Sequence, residues 1–166
     1  MLRKTLIAML LVVSSAAVAN GPTRQGISGA GILTNADGQQ AHFGIQAVKI
    51  IHRNNAHVAG NFRFVAANRD ASTAVTITTT IRRLHVQDNT AEFAGEGLLT
   101  VRQGRQVRHF AGRLSGFAQD LRLPNDTENP DADTLRFVFE PRAQGAETFA
   151  FDGTVTQGDI FIAARN

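Results

Sequence analysis

The chain has 166 residues, with 17 lysines and arginines against 14 aspartates and glutamates, 11 phenylalanines, and no cysteine, tryptophan or tyrosine. This length supports one domain with a real core. The missing thiols exclude disulfide staples, thiolate zinc sites, cysteine catalysis and haem attachment. The missing tryptophan and tyrosine argue against a sugar-stacking platform, since phenylalanine has no polar tip and favours core roles.

Residues 1–19 read as a cleavable export signal. Arg3 and Lys4 precede the apolar run Leu6-Ile7-Ala8-Met9-Leu10-Leu11-Val12-Val13, and small residues follow as far as Ala17-Val18-Ala19. That is the charged, apolar, small-residue order of a signal peptide. The run is broken at Ser14-Ser15, short of the about 20 apolar residues that a membrane span needs. Cleavage is expected after Ala19, leaving a secreted or periplasmic protein and one all-β domain over 20–166, with no later transmembrane segment. Loss of Arg3 and Lys4 leaves 15 basic residues against 14 acidic. So near-even a balance does not predict nucleic-acid binding, which needs a clustered basic surface.

Beyond residue 20 the apolar pattern has period two. It runs Val58-x-Gly60-x-Phe62-x-Phe64, Val75-x-Ile77-x-Thr79-x-Ile81, Leu135-x-Phe137-x-Phe139 and Phe149-x-Phe151-x-Gly153-x-Val155. Such alternation marks strands with one buried face. Turn signals rich in Asn, Asp and Gly punctuate it at Asn35–Gly38, Asn54-Asn55, Asn68–Asp70, Asp88-Asn89, Gln103–Arg105, Pro141–Gly145 and Gln157–Asp159. Nine strands are predicted, at about 25–34, 40–51, 57–66, 73–86, 91–102, 106–118, 133–140, 147–156 and 159–164. Glycines within strands permit the sharp bends of a coiled sheet. The expected fold is therefore all-β: an antiparallel meander of eight or nine strands forming a closed or nearly closed barrel, with a two-sheet sandwich as the alternative.

The motifs Gly29-x-Gly31, Phe43-Gly44, Gly60-Asn61-Phe62-x-Phe64, Phe93-x-Gly95-x-Gly97, Leu135-x-Phe137 and Gly153-Thr154-Val155-x-x-Gly158-Asp159-Ile160 follow in order along the chain. In this they resemble the post-COAP type of β domain found in secreted bacterial proteins. The resemblance spans nearly all of the mature chain and implies a secreted β-rich domain of unassigned role; it hands over no catalytic residues. The chain departs from that pattern in having no tyrosines in its strands.

Candidate chemistry is sparse. Asp120, Asp126, Glu128, Asp131 and Asp133 place five acids in one loop, with Asn125 and Asn129 among them. Calcium takes six to eight oxygen ligands, so the loop is a calcium candidate. Its spacing matches no EF-hand, and a solvated acidic loop is the competing reading. His42, His52, His57, His85 and His109 form no HxH or HExxH pair that would preorganise a metal site. Arg82-Arg83 beside His85, and Arg102, Arg105, Arg108 and Arg113, suit either an anionic partner or cross-strand ion pairs with Asp88, Glu92 and Glu96.

Gly26-Ile27-Ser28-Gly29 is one residue short of a nucleophile elbow and lies in a strand. Glu92 and Glu96 share one side of a strand without a sugar platform beside them. No catalytic residue and no cofactor follow from these patterns. Three functions are weighed: a non-catalytic domain that acts by interaction at the cell envelope or outside the cell, a carrier of a small apolar ligand in a barrel interior, and an enzyme, which would need His42, His57 or His109 with a carboxylate inside one cleft. A packed core favours the first, and an open apolar cavity favours the second.

Overall fold

The computed structural model describes residues 22–53, 55–67, 72–121 and 132–165. The expected export signal lies outside these residues. So do Asn54, the Asn68–Asp70 turn signal, and Asp126, Glu128 and Asp131 of the acidic loop.

Eight strands follow one another as a meander: β1 (Thr23–Thr34), β2 (Gln40–His52), β3 (Asn55–Ala67), β4 (Thr73–Gln87), β5 (Thr90–Gln103), β6 (Gln106–Gln119), β7 (Thr134–Pro141) and β8 (Phe149–Arg165). Each pairs antiparallel with the next, and β8 returns to pair with β1. That last pairing closes the sheet into a ring, so the two-sheet sandwich is set aside. Among the described residues there is no helix, and hence none long and apolar enough to cross a membrane.

The ninth predicted strand is a correction. The segments 147–156 and 159–164 are one strand, β8, and Gln157-Gly158-Asp159 is an irregularity within it rather than a turn. The β1–β8 register slips between Ile32 and Leu33, so that Ile32 faces Gln157 while Leu33 faces Val155. Gly158 has φ +90° and lies against the backbone of Ala30 and Gly31. A β-carbon there would collide with Ala30 O, and one on Gly31 would collide with Gln157 O. The two glycines let the strands pass close enough to keep pairing across the bulge.

Alternation fills the interior as the sequence pattern predicts. Phe62, Phe64, Phe137 and Phe139 are buried, together with Leu33, Ile77, Ile81, Leu114, Leu135, Val155 and Ile160. Phe64 is central: its ring centroid lies 4.8 Å from that of Phe137, 4.9 Å from Phe151 and 5.7 Å from Phe149. Phe62 extends the cluster to Phe137 at 5.0 Å and to Phe93 at 5.7 Å. Inclined rings at such spacings are the favoured aromatic geometry. The Phe93 ring covers Gly116 on the adjacent strand, leaving no room there for a β-carbon.

The turns use the residues the sequence marked. Asn35 Oδ1 accepts the backbone N–H groups of Asp37 at 3.1 Å and Gln39 at 2.8 Å, closing the β1–β2 turn with Gly38 at φ +75°.

Candidate interaction cleft

Two strand pairs end early. β7 pairs with β8 only as far as Thr134↔Thr154, although β8 runs on to Arg165. β3 pairs with β4 only between Asn61↔Thr80 and Ala67↔Ala74, although β3 begins at Asn55 and β4 ends at Gln87. The chain treats these two seams differently.

At the β7–β8 seam, two acids of the calcium candidate act as backbone acceptors. Asp133 is fully buried. Its Oδ2 accepts the N–H of Ile160 at 2.8 Å, its Oδ1 accepts that of Leu121 at 2.9 Å, and its backbone carbonyl accepts that of Val155 at 2.8 Å. Asp120 Oδ2 accepts the N–H of Ile162 at 3.2 Å. The carboxylates stand where a neighbouring strand's carbonyls would stand, and they satisfy N–H groups that are costly to bury unpaired. Among the described residues no group of three or more His, Asp or Glu side chains is placed to hold a metal ion.

At the β3–β4 seam the cause of the parting is a bulge. The β4–β5 register slips between Ile81 and Arg83, so Arg82 has no cross-strand partner on β5. A bulge bends its strand and can end pairing with a neighbour. Here it leaves both Arg82 and Arg83 exposed, and β4 leaves β3 just after Thr80. Among the described residues neither arginine forms an ion pair.

A cleft of about 1280 Å³ opens at this seam. Its lining includes Ala56 and Val58 of β3, Arg82 to His85 of β4, and Lys49 of β2. It then crosses β5 to β8 and reaches the β1–β2 turn at Asn35. Two cross-strand rows belong to it. One is His85↔Glu92↔Phe117↔Arg136↔Asp152, and the other is Arg83↔Ala94↔Ser115↔Val138↔Ala150. The first row carries charge and an aromatic ring; the guanidinium carbon of Arg136 lies 4.7 Å from the Phe117 centroid. The second row has mainly small side chains. Inward-facing Leu84, Phe93, Phe137 and Phe151 give the cleft an apolar side.

The other sequence candidates are dispersed. His42, His57, His85 and His109 are exposed on β2, β3, β4 and β6, and His52 is exposed at the end of β2. His109 Nδ1 is 2.9 Å from Thr100 Oγ1. Glu92 and Glu96 both point outward from β5, and Glu96 pairs with Arg142 at 2.6 Å. Arg113 sits across the ladders from both Glu96 and Glu140. Arg102 and Arg105 are exposed in and after the tip of β5, and Arg108 reaches Gln103 Oε1 at 3.3 Å. Ser28 lies in the β1–β2 ladder opposite Gln46.

The Arg82 bulge was missed by sequence reasoning, although a signal was present. The inward residues Ile77, Thr79 and Ile81 are spaced by two, but the next is Leu84, three positions on. No protein-family model, curated protein or solved structure matches the chain.

Proposed function

We propose that this chain is a secreted or periplasmic, non-catalytic β domain that acts by interaction. The observation that carries the reading is the interrupted β3–β4 ladder. Its parted edges, its two arginines without an ion pair among the described residues and its adjoining cleft lie at the surface, while phenylalanine rings fill the middle of the ring of strands. The expected signal at residues 1–19 supports export, and the resemblance to the post-COAP type of domain belongs to the same proposal. The reading assigns no catalytic residue, no cofactor and no nucleic-acid partner.

A second reading rests on the volume of the cleft and on the apolar side that Val58, Leu84, Phe93 and Phe149 give it. In that reading the domain carries a small apolar ligand. A cavity of several hundred Å³ suffices for such a ligand.

Native mass spectrometry of the protein purified from the exported fraction separates the two. A clean mass starting at Asn20 supports export and interaction. A co-purifying lipid-sized adduct, removed by delipidation, supports the carrier. An uncleaved chain held in the cytoplasm defeats the export part of the proposal.

A further inference from the structure

We infer that the parted edges of β3 and β4 receive an extended segment of a partner protein, one that alternates apolar and acidic residues and adds as a strand. This rests on the interaction reading above and names the partner's chemistry.

The backbone supplies the first argument. Over residues 55–60 of β3 and 81–87 of β4, the sides facing one another have no ladder partner among the described residues. Edges of this kind template strand addition, and proteins ordinarily cover or blunt them. This chain covers the corresponding stretch of β8 with the carboxylates of Asp120 and Asp133. At the β3–β4 seam no described side chain does the same.

Charge supplies the second. Arg82 and Arg83 both emerge at the bulge that opens the seam, and Lys49 and His85 line the same cleft. Three acids also line the cleft, but Glu92 is across the ladder from His85, Asp152 is across from Arg136 and Asp37 is in the β1–β2 turn, so none is the cross-strand partner of Arg82 or Arg83. The seam therefore favours an acidic segment over a basic one.

The third is the period of the strand. Successive side chains of an added strand point to opposite faces. One set would meet Val58, Leu84 and Phe93 on the inner side, and the other would meet Arg82 and Arg83 on the outer side. Apolar residues alternating with acidic ones meet both demands.

The test uses the full mature protein and a synthetic peptide of alternating valine and glutamate, about six to eight residues long, the length of an ordinary strand. Saturable binding is expected, with slowed amide exchange confined to 55–60 and 81–87. Combining Arg82→Ser with Arg83→Ser is expected to weaken binding about tenfold or more, with far-UV circular dichroism and Tm unchanged. Peptides with lysine for glutamate, or with alternate amides N-methylated, are expected not to bind. Equal binding of the N-methylated peptide overturns strand addition, and equal binding by the double variant overturns the role of the arginines. Protection of the same segments by self-association, without peptide, makes a second copy the occupant and overturns a foreign partner. A silent titration with a clean native mass defeats this inference alone, whereas a bound lipid in that mass defeats the interaction reading beneath it.

Discussion

Asp133 and Ile160 are 27 positions apart in sequence, yet the carboxylate of one accepts the backbone N–H of the other at 2.8 Å inside the protein. The second carboxylate oxygen holds Leu121, so one side chain ties the start of the β6–β7 connection to the middle of β8. Asp133→Asn keeps the shape but puts an amide donor where an acceptor is needed, and Asp133→Ala removes both acceptors. Leaving a buried donor unsatisfied costs about 1–3 kcal/mol. Both variants are expected to lower stability by up to that amount in urea unfolding. Asp159 Oδ1, 3.1 Å from the Ile160 N–H, shares that donor, so the Leu121 amide is expected to lose its exchange protection first. Wild-type protection of Leu121 in Asp133→Ala would show that the carboxylate is not its acceptor.

The aromatic cluster sets a scale for the core. Phe64 is fully buried against Phe137, Phe149 and Phe151. Phe64→Ala is expected to cost about 3–5 kcal/mol, the usual loss for a buried phenylalanine. Phe161 is 56% exposed on the outer face of β8, and Phe161→Ala is expected to stay within about 0.5 kcal/mol. Denaturant midpoints of the two variants measure the contrast, and equal losses would contradict the facing assigned to β8.

Glycine at the ring closure can be separated from glycine in a turn. Gly158 has φ +90° and lies against Ala30 O, while Gly145 has φ +78° with nothing near its missing side chain. Gly145→Ala is expected to cost about 1–2 kcal/mol, from backbone conformation alone. Gly158→Ala adds a collision with the β1 backbone and is expected to cost more than Gly145→Ala. Thermal unfolding of the pair decides it, with equal Tm values counting against close approach of β1 and β8.

The Arg142–Glu96 ion pair is expected to matter little. Arg142 and Glu96 meet at 2.6 Å, but their side chains are 56% and 60% exposed. Exposed pairs of this kind contribute between nothing and about 1 kcal/mol. Arg142→Ala is expected to shift stability by less than that, and by less still in high salt. A larger loss in a double-mutant cycle with Glu96→Gln would show coupling beyond the pair.

The strands were legible in the sequence because one face of each is buried, and burial writes itself as period two. The Val75–Ile81 and Leu135–Phe139 runs lie where their alternation put them. The two bulges were harder to read because each breaks that period. The slip from Ile81 to Leu84 marks the first, and the gap from Val155 to Ile160 marks the second, which reads as a turn when Gly158 and Asp159 are taken by composition alone. The acidic loop shows a different limit. Asp120 and Asp133 look like ligands in one dimension, yet in three they face backbone N–H groups of a strand that sequence cannot place beside them. The β3–β4 cleft depends on where pairing stops, and side-chain pattern encodes that only through the Arg82 phase shift.

The β1–β8 pairing joins strands far apart in the sequence, which bears on how the ring closes during folding. β1 has β2 as its neighbour on one edge and β8, the last of the described strands, on the other. A sheet of this order without β8 in place would have two exposed edges, a state open to wrong pairings. Pairing the first strand with the last is a contact of long sequence separation, which slows folding. The Asp133 and Asp120 carboxylates bind β8 on the side away from β1. Their loss is therefore expected to weaken the closed form, and slower refolding of Asp133→Ala would show that they act before closure.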